Sequence, residues 1–311
     1  MKTTGRGIAI GATRLHGVPM KALLLATMLT ASLVVSSNAF AQSSDHRPVA
    51  GDLHEITVSY ETARQGSDGS SGSSSGQDTM QERVVAVSDL GLELEFDLPQ
   101  GASAEDRARV WQYPARVFRP PNGPMRLLNA PELEASLDRW LATAGWSREV
   151  CGHWIFTWNA FRIECDPESV VADIEAFDLR SVDLREGAAY RHPGTLGTGT
   201  LVRTDGPDGA SYAVELPVDV EAVRRARAES DESVGKMMQQ PVTLEDAIRQ
   251  RSQETISGMV AITFDVDGTG NPRRRTVVTT LETVDAEGVT ETDRRTVIVE
   301  RRPLTSLIAT E

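Results

Sequence analysis

Apolar and polar residues alternate with a period of two along much of this 311-residue chain, the signature of strands with one buried face. Ile56, Val58 and Tyr60 alternate with Glu55, Thr57 and Ser59. Leu92, Leu94, Phe96 and Leu98 alternate with Glu93, Glu95 and Asp97. That second run places an acidic row on one face, which an antiparallel sheet with a solvated side accommodates. Near the C-terminus Val260, Ile262, Phe264 and Val266 share a face, and turn residues at 268–272 and 285–288 mark off two returning strands. The expectation there is a three-strand meander. The segment 205–209, Asp-Gly-Pro-Asp-Gly, lies between two strand-like runs and signals another hairpin.

The period changes to that of a helix over 131–144. Leu133, Leu137, Trp140, Leu141 and Ala144 form one stripe, Pro131 suits the first turn and Gly145 the position after the last. Further helices are expected to start at Asp219 and at Thr243, where Thr-Leu-Glu-Asp resembles a capping box. The Gly/Ser-rich stretch 66–76 predicts a flexible loop joining two strands. Together these elements predict an α+β fold: a large, curled, mostly antiparallel sheet with about three helices and the C-terminal three-strand meander.

Residues 1–41 stand apart. Met20-Lys21 opens a charged region, 22–35 is apolar, and Ala39-Phe40-Ala41 precedes Gln42 as a small-x-small cleavage site. This order predicts a secretory signal cleaved between Ala41 and Gln42, with Met20 as the true start. The apolar run falls short of the about 20 residues that span a bilayer. The expectation is therefore one periplasmic or secreted domain over 42–311, with no transmembrane segment in the mature chain.

Charge narrows the partners. The whole chain carries −13, and the signal holds four fixed positive charges and no acids, so the mature chain stands near −17. That excess argues against nucleic acid, which requires a basic face. Lys236 is the single lysine after residue 41, and its surroundings do not form a phosphate-binding loop. Cys151 and Cys165, in an exported chain, flank a hairpin-like segment, so they are expected to form a structural disulfide.

Catalytic patterns are present only in fragments. The run 264–269, Phe-Asp-Val-Asp-Gly-Thr, resembles the first motif of haloacid-dehalogenase-like phosphatases, which implies Asp265 as nucleophile and Asp267 as acid/base. The likeness spans about ten residues and is succeeded by Gly-Asn-Pro and a basic strand where that family has a helix. A hairpin turn without catalysis is the reading preferred here. The same run resembles half of a calcium loop but lacks the closing glutamate. Gly72-Ser73-Ser74-Ser75-Gly76 fits G-x-S-x-G by composition alone. No metal and no cofactor is expected. His153, with Glu164 and Asp166 nearby, is the only histidine in an aromatic setting and gives the alternative of a secreted hydrolase acting on a glycan or ester.

All five tryptophans fall between 111 and 158. Trp154, Phe156 and Trp158 share a face at strand spacing, and Trp111 lies upstream, so these four are the candidate ligand-binding residues. The arginine clusters at 273–275, 294–295 and 301–302 are expected to pair across strands with Glu282, Glu291 and Glu300. The leading functional expectation is a non-enzymatic binding or carrier protein for an apolar or amphipathic small molecule, or for an envelope protein. In export and element content alone it resembles periplasmic lipoprotein carriers.

Overall fold

A computed structural model describes residues 48–156, 160–207, 209–240 and 242–304, with the backbone alone at 154–156, 160–162 and 237. The strands are β1 Leu53–Gly66, β2 Ser71–Ser88, β3 Gly91–Asp97, β4 Ala115–Arg119, β5 Arg126–Leu127, β6 Trp154–Phe156, β7 Ala160–Arg162, β8 Ala189–Tyr190, β9 Gly199–Thr200, β10 Val202–Gly206, β11 Gly209–Pro217, β12 Thr255–Val266, β13 Pro272–Val284 and β14 Thr290–Pro303. The helices are α1 Ala104–Ala108, α2 Ala130–Ala144, α3 Ser169–Phe177, α4 Val220–Met237 and α5 Leu244–Arg251.

Ten strands form one open sheet in the order β10-β11-β12-β13-β14-β1-β2-β3-β4-β5, antiparallel at each pairing. Two small pairs, β6-β7 and β8-β9, stand outside it. The α+β class and the C-terminal meander are as expected, whereas the helices among the described residues number five, not three. The short α1 and the α3 stripe of Val170, Ile174 and Phe177 were not anticipated.

The first and last strands lie side by side: β1 pairs with β14 from His54↔Pro303 to Gly66↔Glu291. Long ladders of this kind fix which face each side chain occupies, since a one-residue slip would turn every apolar side chain outward. On that face Ile56, Met80, Val84, Leu94, Phe96 and Val299 meet Leu133, Leu137 and Leu141 of α2 and the apolar stripe of α3, forming one buried cluster. Phe96 meets Phe177 edge to face at 5.7 Å. A second cluster gathers Tyr212, Val214 and Leu216 of β11, Val260, Ile262, Phe264 and Val266 of β12 and Val277 of β13. Val182 and Leu184 of a connecting segment, Tyr190 of β8 and Val223 of α4 pack on it.

Local chemistry sets the ends of the helices. Gly145 closes α2 in the left-handed region at φ 71°. Asp219 caps α4 by accepting from the amides of Glu221 and Ala222. Thr243 caps α5 by accepting from the Asp246 amide at 3.1 Å. Arg251 of α5 then grips Asp231 of α4 with two bonds of 2.6 and 2.7 Å, locking the two helices together.

The connection expected as a loop over 66–76 is different. The turn is confined to 67–70, where the Asp68 carboxylate accepts from the Ser70 amide, and Ser71 already pairs with Gln65. The Gly/Ser run has little intrinsic strand preference, but β1 supplies a complete ladder for it. Thr62 and Ser74 bond hydroxyl to hydroxyl at 2.7 Å. The Tyr60 ring lies over Gly76 so closely that an added Cβ would stand 2.6 Å from it. An aromatic ring covering a cross-strand glycine is a known way to recover the packing that glycine lacks.

Candidate ligand-binding site

The residues singled out by sequence do not converge. Trp111 is 3% exposed within the first cluster. Trp154 and Phe156 lie on β6, paired with Arg162 and Ala160, while Trp158 lies outside the described residues, as do Ala41 and Gln42. Cys151 and Cys165 are joined in a disulfide that closes this hairpin, with Cα atoms 5.6 Å apart. His153, Glu164 and Asp166 lie at its base, all three exposed. The Glu164 carboxylate accepts from the amides of Cys165 and Asp166, and that of Asp166 from the Glu168 amide. Both acids shape turns, and none of the three residues lines the cavity at the rim of the sheet described below.

The phosphatase-like motif is a turn device. Asp267 Oδ1 accepts from the amides of Thr269 and Asn271 and from the Thr269 hydroxyl. The next turn of the meander is built the same way, with Asp285 Oδ1 accepting from the amides of Glu287 and Val289. Gly270 and Gly288 hold φ 84° and 82° at matching positions. A carboxylate that satisfies turn amides at both hairpins has a structural role in each.

The feature that sequence reasoning passed over sits between the two apolar clusters, on the same face of the sheet. Glu82 occupies the inward position between Met80 and Val84 and is 1% exposed. Arg180 holds it with two bonds of 3.0 and 2.7 Å, and Arg301 adds a third at 2.9 Å. Asp178, also buried, accepts from Arg119 Nε at 2.9 Å and from Arg180 Nε at 3.1 Å. Arg275 donates to the Ala176 carbonyl. Burial opposes the charge on Arg180, yet Glu82 and Asp178 outweigh it and raise its pKa above the ordinary value. Arg275, more deeply placed than it is compensated, is pushed below it by burial. A signal for this site existed: an acid at an apolar position of an alternating run.

His54, on β1 beside Glu82, completes the group at 3.8 Å from that carboxylate. Burial first, and then the positive charges of Arg301 and Arg180, lower its pKa to about 4 against the opposing pull of Glu82 and Asp52. It is therefore neutral at physiological pH.

The arginine clusters divide by face. Arg274 meets Glu300 across the ladder at 3.6 Å, as expected, whereas Arg302 reaches Glu300 at 2.6 Å along its own strand. Glu291 is met instead by Arg64 and Arg227. The expected pairing fails for Arg301 and Arg275 because the period of two carries them to the inner face, where Glu82 and a carbonyl receive them.

A cavity of about 980 Å³ opens where the start of β1, the end of β14 and the β12-β13 turn meet. Its wall is mixed. His54, Arg180, Arg273, Arg274, Arg301 and Arg302 contribute charge or hydrogen-bond donors, and Pro48, Leu53, Pro272, Pro303 and Leu304 contribute apolar surface. Among the described residues no group of His, Cys, Asp and Glu gathers to hold a metal, and no helix is long and apolar enough to cross a membrane.

No protein-family profile and no curated protein sequence matches the chain. Four chains of solved structures do. One is lipovitellin, in a structure describing its lipid–protein interactions, with a TM-score of 0.36 and 9% identity over 82% of this chain. The chain spans 26% of that protein's length, about a quarter.

Proposed function

We propose that this is an exported binding protein of the periplasm or cell envelope, matured by cleavage between Ala41 and Gln42, that carries an amphipathic small molecule in the cavity at the rim of the sheet. The observation that supports this most directly is the mixed composition of the wall: five arginines and four acids together with Leu53, Leu304 and three prolines. Sites for small molecules combine apolar lining with a few placed polar groups in this way, and the volume falls in their usual range of about 300–1,000 Å³. The disulfide between Cys151 and Cys165 suits an oxidising compartment. A binding role is favoured over hydrolysis because His153, Glu164 and Asp166 do not line this cavity. The Trp-rich hairpin remains a second contact surface in this proposal.

Equilibrium dialysis of the mature protein against a fluorescent twelve-carbon amphiphile tests the reading. Saturable binding at one molecule per chain is expected, weakened at least tenfold by Leu53→Asp. Absence of saturable binding, or binding unaffected by that substitution, would overturn it. Intact mass of the exported protein tests the cleavage site, and a species retaining residues 20–41 would refute it.

A further inference from the structure

We propose that the same cavity selects an anionic head group, a phosphate or a carboxylate, through Arg273, Arg274 and Arg301; this rests on the binding reading above. The arginines around the cavity are not equally committed. Arg180 uses Nε on Asp178 and both terminal nitrogens on Glu82, so it is fixed as scaffold. Arg302 is held by Glu300.

The other three have donors to spare. Arg301 gives one terminal nitrogen to Glu82, while its Nε is buried without an acceptor. Arg274 lies 3.6 Å from Glu300, beyond a good hydrogen bond, and its Nε is likewise buried and without an acceptor. Arg273 lines the cavity and is exposed, with no ion pair or hydrogen bond among the described residues. The buried Nε atoms do not open on the cavity, so the groups available to a ligand there are the terminal nitrogens of Arg274 and Arg301 and the exposed Arg273.

The carboxylates of the wall have partners of their own. Glu300 is taken by Arg302, Asp267 by turn amides and Asp52 by the Val49 amide. Asp265 faces Arg274 across the ladder and offsets one charge. What remains is a set of guanidinium groups lining one space, the side-chain type that receives an oxyanion bidentately.

The test compares dodecyl phosphate, dodecyl maltoside and inorganic phosphate by calorimetry on the mature protein, with the folded state checked by circular dichroism. Dodecyl phosphate is expected to bind at least tenfold more tightly than the neutral maltoside, and its affinity to fall with added salt. Arg273→Ala and Arg274→Ala are each expected to weaken it roughly tenfold, the loss of one charge-assisted contact. Equal binding of the two amphiphiles, or no effect of either substitution, would overturn the head-group assignment while leaving the carrier reading intact. Inorganic phosphate binding as well as dodecyl phosphate would uphold the anion site and overturn the carrier reading. Binding of none of the three would overturn both.

Discussion

Glu82 stands where the alternation of β2 reserves a place for an apolar side chain, and the cost of burying its charge is met by two arginines. Buried ion pairs contribute little net stability when intact, but removing one partner leaves the others desolvated and uncompensated. Glu82→Ala is therefore expected to destabilise the fold by about 3–5 kcal/mol in urea denaturation. Replacing the three together, Glu82→Met with Arg180→Met and Arg301→Leu, should cost far less than the single change. The neighbouring His54 gives a pH dependence with a definite sign. Its pKa is about 4 when folded and 6.5 as a free side chain, so the unfolded chain takes up the proton first. Stability from this group is complete above pH 6.5 and is lost as pH falls towards 4. From pH 7.5 to 5 the loss is about 1–2 kcal/mol, the lower end reflecting solvent screening of the half-buried ring. Comparing urea midpoints of the wild type and His54→Gln at the two pH values isolates it: the variant should lose less by that amount. The groups facing His54 are Glu82, Asp52, Arg301 and Arg180, and Glu82 and Asp52 are present in both proteins.

At the scale of single elements the sequence was legible where pattern and caps agreed. Helix α2, with Leu133, Leu137 and Leu141 buried and Gly145 ending it, follows its stripe. The meander strands follow their alternation and their Asp-x-x-Gly turns. The strand Ser71–Ser88 was illegible at its start because composition describes a segment in isolation, whereas the ladder and the Tyr60 ring come from β1. Tyr60→Ala should expose Gly76 and cost about 1 kcal/mol, measured as a fall in thermal midpoint; an unchanged midpoint would remove the ring from this role. The disulfide is more autonomous. It closes a loop with a sequence separation of 14, worth about 3 kcal/mol by chain entropy. Cys151→Ser combined with Cys165→Ser should lose about that much, and the native protein should titrate no free thiols.

For the whole molecule, the decisive pairing is β1 with β14, whose partners such as Arg64 and Asp293 lie 229 residues apart. Periodicity along the chain carries no information about that neighbour, which is why the rim cavity, made from both ends of the sheet-forming chain and the β12-β13 turn, was not foreseen. The pairing also bears on cooperativity. Two apolar clusters occupy one face of the sheet, the first on β1–β4 with α2 and α3, the second on β11–β13. Val299 places β14 in the first cluster and β14 pairs with β13 of the second, so each cluster rests on strands hydrogen-bonded to the other's. Loss of either should unzip the shared strands and with them the second, so we expect one cooperative unit. The distribution of aromatics makes this measurable. All five tryptophans lie between 111 and 158, and the second cluster contains none. Tryptophan emission therefore reports the first region, while far-ultraviolet circular dichroism reports the whole sheet. In urea the two signals should change together, with one midpoint. Separate midpoints would mean that β10–β13 melts independently, and the mature chain would then be two folding units joined at β14.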